Sequence, residues 1–416
     1  METAHSSDRI YQVAIVGAGP AGATLAIICA AAGLDTVLLD ARPVQAGDRS
    51  SDTRNFAIVR GSWRLLTAAG VTDALSDVAQ PLEGLEATDG AHHWLGAPSA
   101  LFGTADLGPD PDDTPLGQMV EAAALQAALD RRLADLPDLD WRRDTRFATL
   151  AAEAGHATLT LEDGHRVRAD IVVGCDGVAS PVRQALGIET DGRDYGKSVL
   201  AANVSLSVPH RGIARQLFTP EGPFATLPLR GDRANLAWYM KRGAAEALAE
   251  RPPEAIEAEL NARFARFAGE MALDGPVLTY PLRLQVARAL TGPRAALVGD
   301  AVRRINPLAG QGLNLGFKDV AALAEVLVDA ARNGLPLGAD TTLSRYVSWR
   351  KFDSTLTALG MDLVDRTFSN DNPLLKPLRG LALAAADRLA PVRATLARQA
   401  SADQSWLPKL MRGEAL

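Results

Sequence analysis

The sequence predicts an α/β protein in which a Rossmann-like nucleotide-binding domain is interleaved with a β-sheet substrate domain and followed by a helical C-terminal segment. Three observations carry this prediction. Three short apolar runs each end in a glycine, and two of them carry an acid one or two residues beyond it, where strands of an open α/β sheet place their ligand-binding residues. Residues 195–240 instead contain alternating, strand-like stretches, and residues 342–400 carry apolar residues at helical spacing.

The first apolar run ends in the glycine pattern Gly17-x-Gly19-x-x-Gly22, and a helix of small residues over Ala21–Ala32 follows it. The first glycine makes a tight turn, the second lets the backbone approach a pyrophosphate, and the third lets the helix pack closely on the strand. A second apolar strand then leads to Asp40, which is placed to accept hydrogen bonds from a ribose. This setting predicts a dinucleotide site, and a purely structural turn is the alternative. The motif alone does not choose between FAD and NAD.

A second junction follows the apolar run that ends at residue 174, where Asp176-Gly177 precedes a helix start. Ser180 is a favourable N-cap residue and Pro181 occupies the first helical position. An acid at the carboxyl end of a strand lies where open α/β sheets bind ligands. Taken alone, the pattern is more typical of a turn with a capped helix.

The third junction is Gly299-Asp300, which again ends an apolar run. Pro307, Gly310 and Gly312 then lead into a long helix that should reach about residue 331. The glycines let the backbone approach a flat or anionic group at the start of that helix. Three such junctions in one chain indicate a shared cofactor cleft.

Size and composition restrict the class of protein. With 416 residues the chain exceeds one ordinary core, and with 47% hydrophobic and 22% charged residues it is typical of globular proteins. A net charge of -7 argues against general nucleic-acid binding. No run approaches twenty apolar residues, and residues 1–9 lack a secretory apolar segment, so we expect a cytoplasmic protein.

The cysteines and histidines indicate no metal centre. Cys29 and Cys175 fall in apolar segments and are expected in the core rather than in a disulfide. The adjacent His92 and His93 have no acidic or cysteine neighbours and are expected in a surface loop.

The domain boundaries follow from these patterns. Residues 1–80, 115–185 and 285–340 are assigned to the nucleotide-binding domain. The β-rich substrate domain takes residues 81–114 and 186–284, and the helical C-terminal segment takes residues 341–416.

Three local predictions are also specific enough to test. Met119–Leu133 is expected to form a helix, and Glu246–Phe267 is expected to form a single helix. Trp141–Asp163 alternates like a hairpin whose turn is Asp163-Gly164.

The C-terminal segment is basic within an acidic protein and permits two interpretations. A helix of this kind can lie on an anionic membrane, here the inner face of the cell membrane. Alternatively, it is a final helix pair that packs on the core and leaves a solvated basic face. The basic residues of this segment are Lys376, Arg379, Arg388, Arg393, Arg398, Lys409 and Arg412, and the apolar ones among them are Trp406, Leu407, Leu410 and Met411.

Taken together, the three junctions resemble the FAD-dependent aromatic hydroxylases of the class A flavoprotein monooxygenases. The central block and the loop before the long helix are similar to those of the ubiquinone-biosynthesis hydroxylases, the UbiH/UbiF group. The resemblance covers nearly the whole chain. It rests on Gly17, Gly19 and Gly22, on Asp176, Gly177, Ser180 and Arg183, on Gly299, Asp300, Pro307, Gly310 and Gly312, and on the segments 195–196, 218–229 and 309–316.

The resemblance implies that FAD is the cofactor, that NAD(P)H reduces it, and that O2 reacts with the reduced flavin to give a C4a-hydroperoxyflavin. This species would hydroxylate the aromatic ring of a polyprenylated phenol in ubiquinone biosynthesis. No side chain is singled out as a certain catalyst, because the chemistry belongs to the flavin. The partners implied are this small-molecule substrate, with the C-terminal segment as a candidate contact for the membrane or for proteins of a quinone-biosynthesis complex.

The same resemblance implies which residues touch the cofactor. The loop Pro307, Gly310, Gln311 and Gly312 would lie against the flavin ring. The remaining cofactor-binding residues would be Gly17, Gly19, Pro20, Ala21, Gly22, Asp40, Ala41, Arg42, Arg54, Val120, Asp176, Gly299, Asp300, Leu313 and Asn314.

Three positions depart from the family pattern. Arg303 and Asn306 stand where the family often has histidines, and Lys197 stands where it usually has glutamine after Tyr-Gly. These positions leave other functions open: another aromatic hydroxylase, a polyprenyl reductase, or a flavoprotein that acts mainly as a scaffold. A flavin-dependent halogenase is disfavoured because its Trp-x-Trp pair is absent from the sequence.

Overall fold

The computed structural model describes residues 9–43, 54–90, 99–108, 114–305, 311–351 and 388–416. Several residues of the sequence analysis lie outside these ranges, namely His92, His93, Asn306, Pro307, Gly310, Lys376 and Arg379. Residues 352–387, most of the predicted C-terminal helical region, also lie outside them.

The described part of the chain combines strands and helices throughout, as the α/β prediction requires. In chain order the strands are β1 (Ile10–Val16), β2 (Thr36–Leu39), β3 (Asn55–Val59), β4 (Gln80–Leu82), β5 (Gly84–Asp89), β6 (Ser99–Gly103), β7 (Gly117–Glu121), β8 (Asp140–Arg142), β9 (Phe147–Ala152), β10 (Ala157–Leu161), β11 (Arg166–Gly174), β12 (Thr190–Leu206), β13 (Ile213–Phe218), β14 (Phe224–Leu229), β15 (Arg233–Lys241), β16 (Met271–Leu273), β17 (Leu278–Ala287), β18 (Thr291–Gly292), β19 (Ala295–Leu297) and β20 (Arg303–Arg304). The helices are α1 (Pro20–Ala31), α2 (Arg60–Ala68), α3 (Ala122–Ala134), α4 (Pro181–Ala185), α5 (Arg242–Ala249), α6 (Pro253–Ala268), α7 (Gln311–Arg332), α8 (340–351), α9 (Ala390–Ser401) and α10 (Lys409–Arg412), with short 3₁₀ turns at Thr72–Leu75, Thr104–Asp106 and Gly299–Ala301.

The first sheet is the parallel sheet that the glycine junctions predict. Its central strands lie in the order β19, β11, β1, β2 and β8, and each adjacent pair is parallel. The three strands that precede the predicted junctions are therefore neighbours, because β1 pairs with β11 and β11 pairs with β19. Their carboxyl ends therefore meet at one edge of the sheet.

Both faces of this sheet are covered, as parallel strands require. On one face, α1, α3 and α7 pack on Val13, Ile15 and Val173 in a large apolar core. The antiparallel strands β9 and β10 and the short helix α4 cover the other face around Val172 and Leu297. All residues of α1 from Gly22 to Cys29 are buried. The helix is therefore apolar on every side.

The second sheet has nine strands and is mainly antiparallel, in the order β20, β17, β12, β15, β14, β13, β5 and β6, with β16 beside β12. One face packs on α5 and α6 through an aromatic cluster. Phe224 stacks on Phe264 with ring centroids 3.8 Å apart, and Trp238 meets Phe264 edge to face. The opposite face turns away from these helices.

The third sheet joins β3, β7 and β4, and it corrects the first local prediction. Met119–Glu121 belongs to β7 rather than to the helix, which begins at Ala122. The helical spacing of Leu125 and Leu129 was correct, but Val120 matched that spacing from inside a strand that pairs with Phe56. Pairing with β3 on one side and β4 on the other decides its conformation.

Two further local predictions need correction. The segment Glu246–Phe267 forms two helices, because Pro252 and Pro253 end α5 and start α6. The strand at Trp141 pairs in parallel with β2, so it does not belong to the hairpin. The turn at Asp163-Gly164 is present and joins β10 to β11.

The described end of the chain packs on the core. Leu407, Leu410 and Met411 are buried in the same apolar cluster as α1 and α7. Lys409 donates its backbone N–H to Glu325 on α7 at 2.8 Å, and Asp403 forms an ion pair with Arg64 on α2 at 2.8 Å. Among the described basic residues of the tail, Arg388 and Arg398 are exposed, whereas Arg393 on α9 forms an ion pair with Asp106 at 2.8 Å. The packed side of the predicted helix pair is therefore present, and its basic residues are solvated only in part.

Among the residues described, no helix combines the length and apolar character needed to span a bilayer.

The contact between α2 and the tail generates a prediction about Gly61. A Cβ atom at Gly61 would lie 2.4 Å from the backbone oxygen of Ala402, so Gly61→Ala should push the tail away from α2. We expect a loss of about 1–3 kcal/mol in the free energy of unfolding, measured by urea denaturation.

Gly243 provides the matched control, because it is also the second residue of a helix and a Cβ atom there would meet nothing within 4 Å. Gly243→Ala should be neutral or stabilise by up to about 1 kcal/mol through helix propensity. Equal stability changes in the two variants would contradict the packing argument.

Candidate cofactor site

The glycine turn after β1 is held by close packing of backbone on backbone. Gly17 has φ +102° and donates its N–H to Leu39 at 2.9 Å. A Cβ atom at Gly17 would lie 2.5 Å from the backbone oxygen of Cys175, and one at Gly22 would lie 1.9 Å from the oxygen of Gly17. These two glycines are therefore required by the fold itself. Gly19 differs, because a Cβ atom there would meet no atom of the described residues within 4 Å.

The open space at Gly19 lies at the N-terminus of α1. Gly19 is the N-cap residue with φ -67° and ψ 178°, and no side chain in the described part of the chain caps this helix. Its backbone oxygen accepts the N–H of Ala23 at 2.9 Å. The first N–H groups of a helix have no acceptor within the helix, and the helix dipole adds positive potential there. The turn therefore offers an anion both space and donors.

Asp40 and Arg42 lie together beside this turn. Asp40 is 3% exposed, and the guanidinium of Arg42 contacts both of its carboxylate oxygens, Oδ1 at 2.7 Å and Oδ2 at 2.6 Å. The same guanidinium donates to the backbone oxygen of Ala18 in the turn at 3.0 Å. Gln126 on α3 donates to that oxygen as well, at 3.1 Å. Ala41, the remaining predicted residue here, is exposed.

The second junction uses its acid inside the protein. Asp176 accepts hydrogen bonds from the Ser180 hydroxyl at 2.5 Å and from the backbone N–H of Val182 at 2.8 Å, so it caps α4 together with Ser180. Burial raises the pKa of the Asp176 carboxyl, while these hydrogen bonds lower it. Arg183 is buried and donates to the backbone oxygen of Ala301 at 2.8 Å. This arginine therefore ties the second junction to the third.

The third junction forms a 3₁₀ turn over Gly299–Ala301 against α1 and α7. Gly299 has φ +65°, and a Cβ atom there would lie 3.5 Å from the Cβ of Ala21. Asp300 is exposed at this edge. The protein around it nevertheless displaces enough water to raise the pKa of its carboxyl, a shift opposed by the positive charges of Arg304 and Arg54. An exposed acid therefore lies beside the N-terminus of α1.

Behind the third junction lies a buried charge cluster of Asp319, Arg303 and Arg350. Asp319 on α7 is fully buried, accepts the N–H of Gly299 at 3.1 Å and binds Arg303 through both oxygens at 3.0 and 3.1 Å. Arg350 on α8 donates to it at 2.6 Å. Arg303, which stands in place of a family histidine, is 7% exposed and faces this cluster. The Arg303 side chain therefore helps to hold the Gly299–Ala301 turn through Asp319.

The remaining predicted residues lie on β3, β7 and α7. Val120 on β7 pairs with Phe56 on β3. Strand β3 begins directly after Arg54 in the chain. The side chain of Asn314 is buried, donates to the backbone oxygen of Ala57 at 2.7 Å and accepts the N–H of Val59 at 3.1 Å. It therefore fastens α7 to β3. Gln311 and Gly312 begin α7, and a Cβ atom at Gly312 would have no neighbour within 4 Å among the described residues.

Sequence reasoning missed the residues that support the site from behind. Asp319, Arg350 and Gln126 are distant in sequence from the junctions that they hold. A signal for Asp319 existed, because it is an acid directly before the apolar run 320–324 of α7, where every residue is buried. An acid at such a position needs buried partners.

Comparison with known proteins now gives the family. The model of the family described as "FAD binding domain" matches residues 10–351. "Ubiquinone hydroxylase UbiL" of Rhodospirillum rubrum is 36% identical over 99% of this chain and 95% of its own length. "3-demethoxyubiquinol 3-hydroxylase" of Escherichia coli is 35% identical over 91% of this chain and 95% of its own. The chain belongs to the family of FAD-dependent monooxygenases.

A solved structure gives the same fold. p-Nitrophenol 4-monooxygenase PnpA from Pseudomonas putida superposes with a TM-score of 0.75 and 20% identity over 94% of this chain and 97% of its own. The class A hydroxylase fold expected from the three junctions is therefore confirmed.

The residues at the sheet edge fit FAD. The turn at Gly19 offers space and uncapped N–H donors for a diphosphate. The diphosphate is the part of a dinucleotide that binds at helix N-termini. The exposed Asp300 offers acceptors at the neighbouring junction, where a hydroxylated chain could bind.

The open space at Gly19 predicts that Gly19→Val folds but does not retain FAD. The backbone of Gly19 is extended and tolerates any residue, whereas the new side chain would occupy the space in front of the N–H donors. Purified protein should lose its flavin absorbance while its circular dichroism and melting temperature stay close to those of the wild type. Gly243→Val, at another glycine with open surroundings, controls for the valine itself and should stay yellow. Retention of FAD by Gly19→Val would place the diphosphate elsewhere.

Proposed function

We propose that this protein hydroxylates the aromatic ring of a polyprenylated phenol in ubiquinone biosynthesis, using NAD(P)H and O2. The observation that carries the proposal is the 36% identity to a ubiquinone hydroxylase over 99% of the chain, combined with the edge that unites all three junctions. The E. coli relative, whose name describes ring hydroxylation of a ubiquinol precursor, supports the same substrate class.

When bound, FAD accepts a hydride from NAD(P)H and activates O2 for attack on an electron-rich ring. The protein holds and orients it. The N–H groups at Gly19 and Gly22 would hold the diphosphate, and Asp40 with Arg42 would hold the adenosine end. Asp300 would bind the ribityl hydroxyls, with Arg54, Val120, Leu313 and the start of α7 near the flavin ring. Asp176 and Asn314 would act mainly through the backbone that they fix, because their side chains already bind α4 and β3.

The buried cluster behind the site contributes orientation rather than chemistry. Asp319 fixes the N–H of Gly299 and is itself held by two arginines, so the turn that carries Asp300 has a rigid support. A fixed turn keeps its groups aligned without reorganisation during the reaction.

The test is turnover by the purified holoprotein with a short-chain 2-prenylphenol and either NADH or NADPH. We expect substrate-stimulated oxidation of the reductant and a product that carries one added oxygen on the ring, identified by mass spectrometry. A product with a saturated prenyl chain would indicate a polyprenyl reductase instead. A yellow protein without any stimulated turnover would contradict the proposal and favour the scaffold.

We also propose that the exposed face of α9 contacts an anionic membrane surface, where a polyprenylated substrate would reside. At the start of α9, the N-cap residue Leu389 and Val392 are 52% and 37% exposed, and Arg388 before the helix and Arg398 within it are also exposed. Apolar side chains flanked by cations are typical of interfacial helices. Contact with proteins of a quinone-biosynthesis complex through the same face is the alternative.

Vesicle flotation tests the membrane proposal. Leu389→Glu should reduce association of the holoprotein with vesicles containing phosphatidylglycerol, because it places a charge in the apolar face. Leu335→Glu is the matched control, since Leu335 is also 52% exposed but follows α7. If both variants float like the wild type, α9 does not contact lipid.

A further inference from the structure

The face of the second sheet that turns away from α5 and α6 carries a row of alanines. Ala201 on β12 pairs with Ala237 on β15, which pairs with Ala225 on β14. All three are partly exposed, whereas the alternate residues Leu200 and Trp238 are buried against the helices. Directly paired residues lie on the same face of a sheet. The row is therefore a flat, accessible apolar strip three strands wide.

The next row on this face contains two amides, Asn203 and Asn235, and ends in Leu227 on β14. Asn203 pairs with Asn235, two residues along from the alanines. Asn55 on β3 reaches across from the nucleotide-binding domain, and its Nδ2 donates to Asn203 Oδ1 at 2.9 Å. Nδ2 of Asn235 donates to the same oxygen, also at 2.9 Å. This amide cluster thus joins the two domains at one end of the alanine row.

The orientation of these amides follows from the backbone. Nδ2 of Asn235 lies 3.3 Å from the backbone oxygen of Ala202, which can only accept a hydrogen bond. The atom of Asn235 at this position must therefore be the nitrogen, and the atom of Asn203 that it also contacts must be the oxygen. The Nδ2 of Asn203 then carries two N–H donors, and no residue in the described part of the chain accepts from it.

The cluster also lies close to the cofactor edge. Asn55 directly follows Arg54, and the charge of Arg54 acts on Asp300. The free donors of Asn203 and the alanine row therefore lie beside β3, between the second sheet and the edge that fits FAD.

We propose that the alanine row is the floor on which the aromatic ring of the substrate lies, and that Asn203 Nδ2 donates a hydrogen bond to an oxygen substituent of that ring. A planar ring fits a surface made of small side chains, and a partly desolvated donor favours a ring that bears oxygen over one that lacks it. Asn203 is thus a specificity-determining residue. This inference rests on the proposed function, because it takes an oxygenated aromatic ring as the substrate.

The test is a thermodynamic cycle on the FAD-loaded protein. Binding of 2-prenylphenol and of prenylbenzene, which lacks the ring oxygen, is measured from the change in the flavin absorbance spectrum. The wild type should bind the phenol more tightly than the hydrocarbon by roughly five- to tenfold, and Asn203→Leu should remove this preference. An unchanged preference in Asn203→Leu would overturn the assignment.

A second variant separates ligand binding from domain contact. Asn203→Asp keeps an oxygen for the donors of Asn55 and Asn235 but has no N–H to offer. A phenol hydroxyl could donate to the new carboxylate, so this variant is tested with the methyl ether of 2-prenylphenol, whose ring oxygen can only accept. Asn203→Asp should weaken binding of the ether while leaving FAD content and melting temperature near those of the wild type. Asn333→Asp, at an exposed position after α7, makes the same charge change and should bind the ether as the wild type does. Binding of the ether by Asn203→Asp as tight as by the wild type would also overturn the assignment.

These outcomes are distinct from failure of the proposed function. If the wild-type holoprotein binds neither compound, the proposed substrate class falls and the inference falls with it. If it binds and hydroxylates the phenol but the Asn203 variants keep the preference, only the inference falls.

Discussion

The close approach of α1 to the ends of β1 and β11 is the constraint on which the rest of the structure depends. Gly22 comes so near to Gly17 that a single methyl group would lie 1.9 Å from a backbone oxygen, and a methyl group on Gly17 would lie 2.5 Å from the backbone oxygen of Cys175. Because the first helix is seated this deeply, its N-terminus reaches the same sheet edge as the other two junctions. The three segments, separated by more than a hundred residues in the chain, therefore form one site whose width is set by backbone contacts rather than by adjustable side chains.

Electrostatics add a second constraint behind that edge. Asp319 has no solvent exposure, and a buried carboxylate is tolerated only when its hydrogen-bonding capacity is filled. Arg303, Arg350 and the N–H of Gly299 fill it. Such a cluster contributes little net stability compared with apolar packing, but it specifies one arrangement of α7, α8 and the turn before β20. The arginine that departs from the family pattern thus belongs to the framework of the site.

The sequence allowed the α/β class, the three junctions and the extent of α7 to be predicted, because glycine patterns and apolar runs encode local geometry. It misled where one pattern suits two structures: Val120 kept helical spacing from inside a strand, and the helix expected over Glu246–Phe267 is divided by Pro252 and Pro253. It gave no sign of the contacts among Asn55, Asn203 and Asn235, or of Asp319 with Arg350. Those depend on which strands and helices become neighbours, and that information is distributed over the whole chain.

The order in which strands enter the first sheet has a consequence for biosynthesis. β1 emerges first from the ribosome, but its partner β11 ends at Gly174 and the next strand outward, β19, ends at Leu297. The core around α1 is then closed by Leu410 and Met411. The nucleotide-binding domain therefore cannot fold as a unit while the rest of the chain is still being made, in contrast to proteins whose domains fold one after another. Until synthesis reaches residue 411, the apolar strands β1 and β2 remain without their full cover, and exposed apolar strands of this kind favour aggregation of the nascent chain.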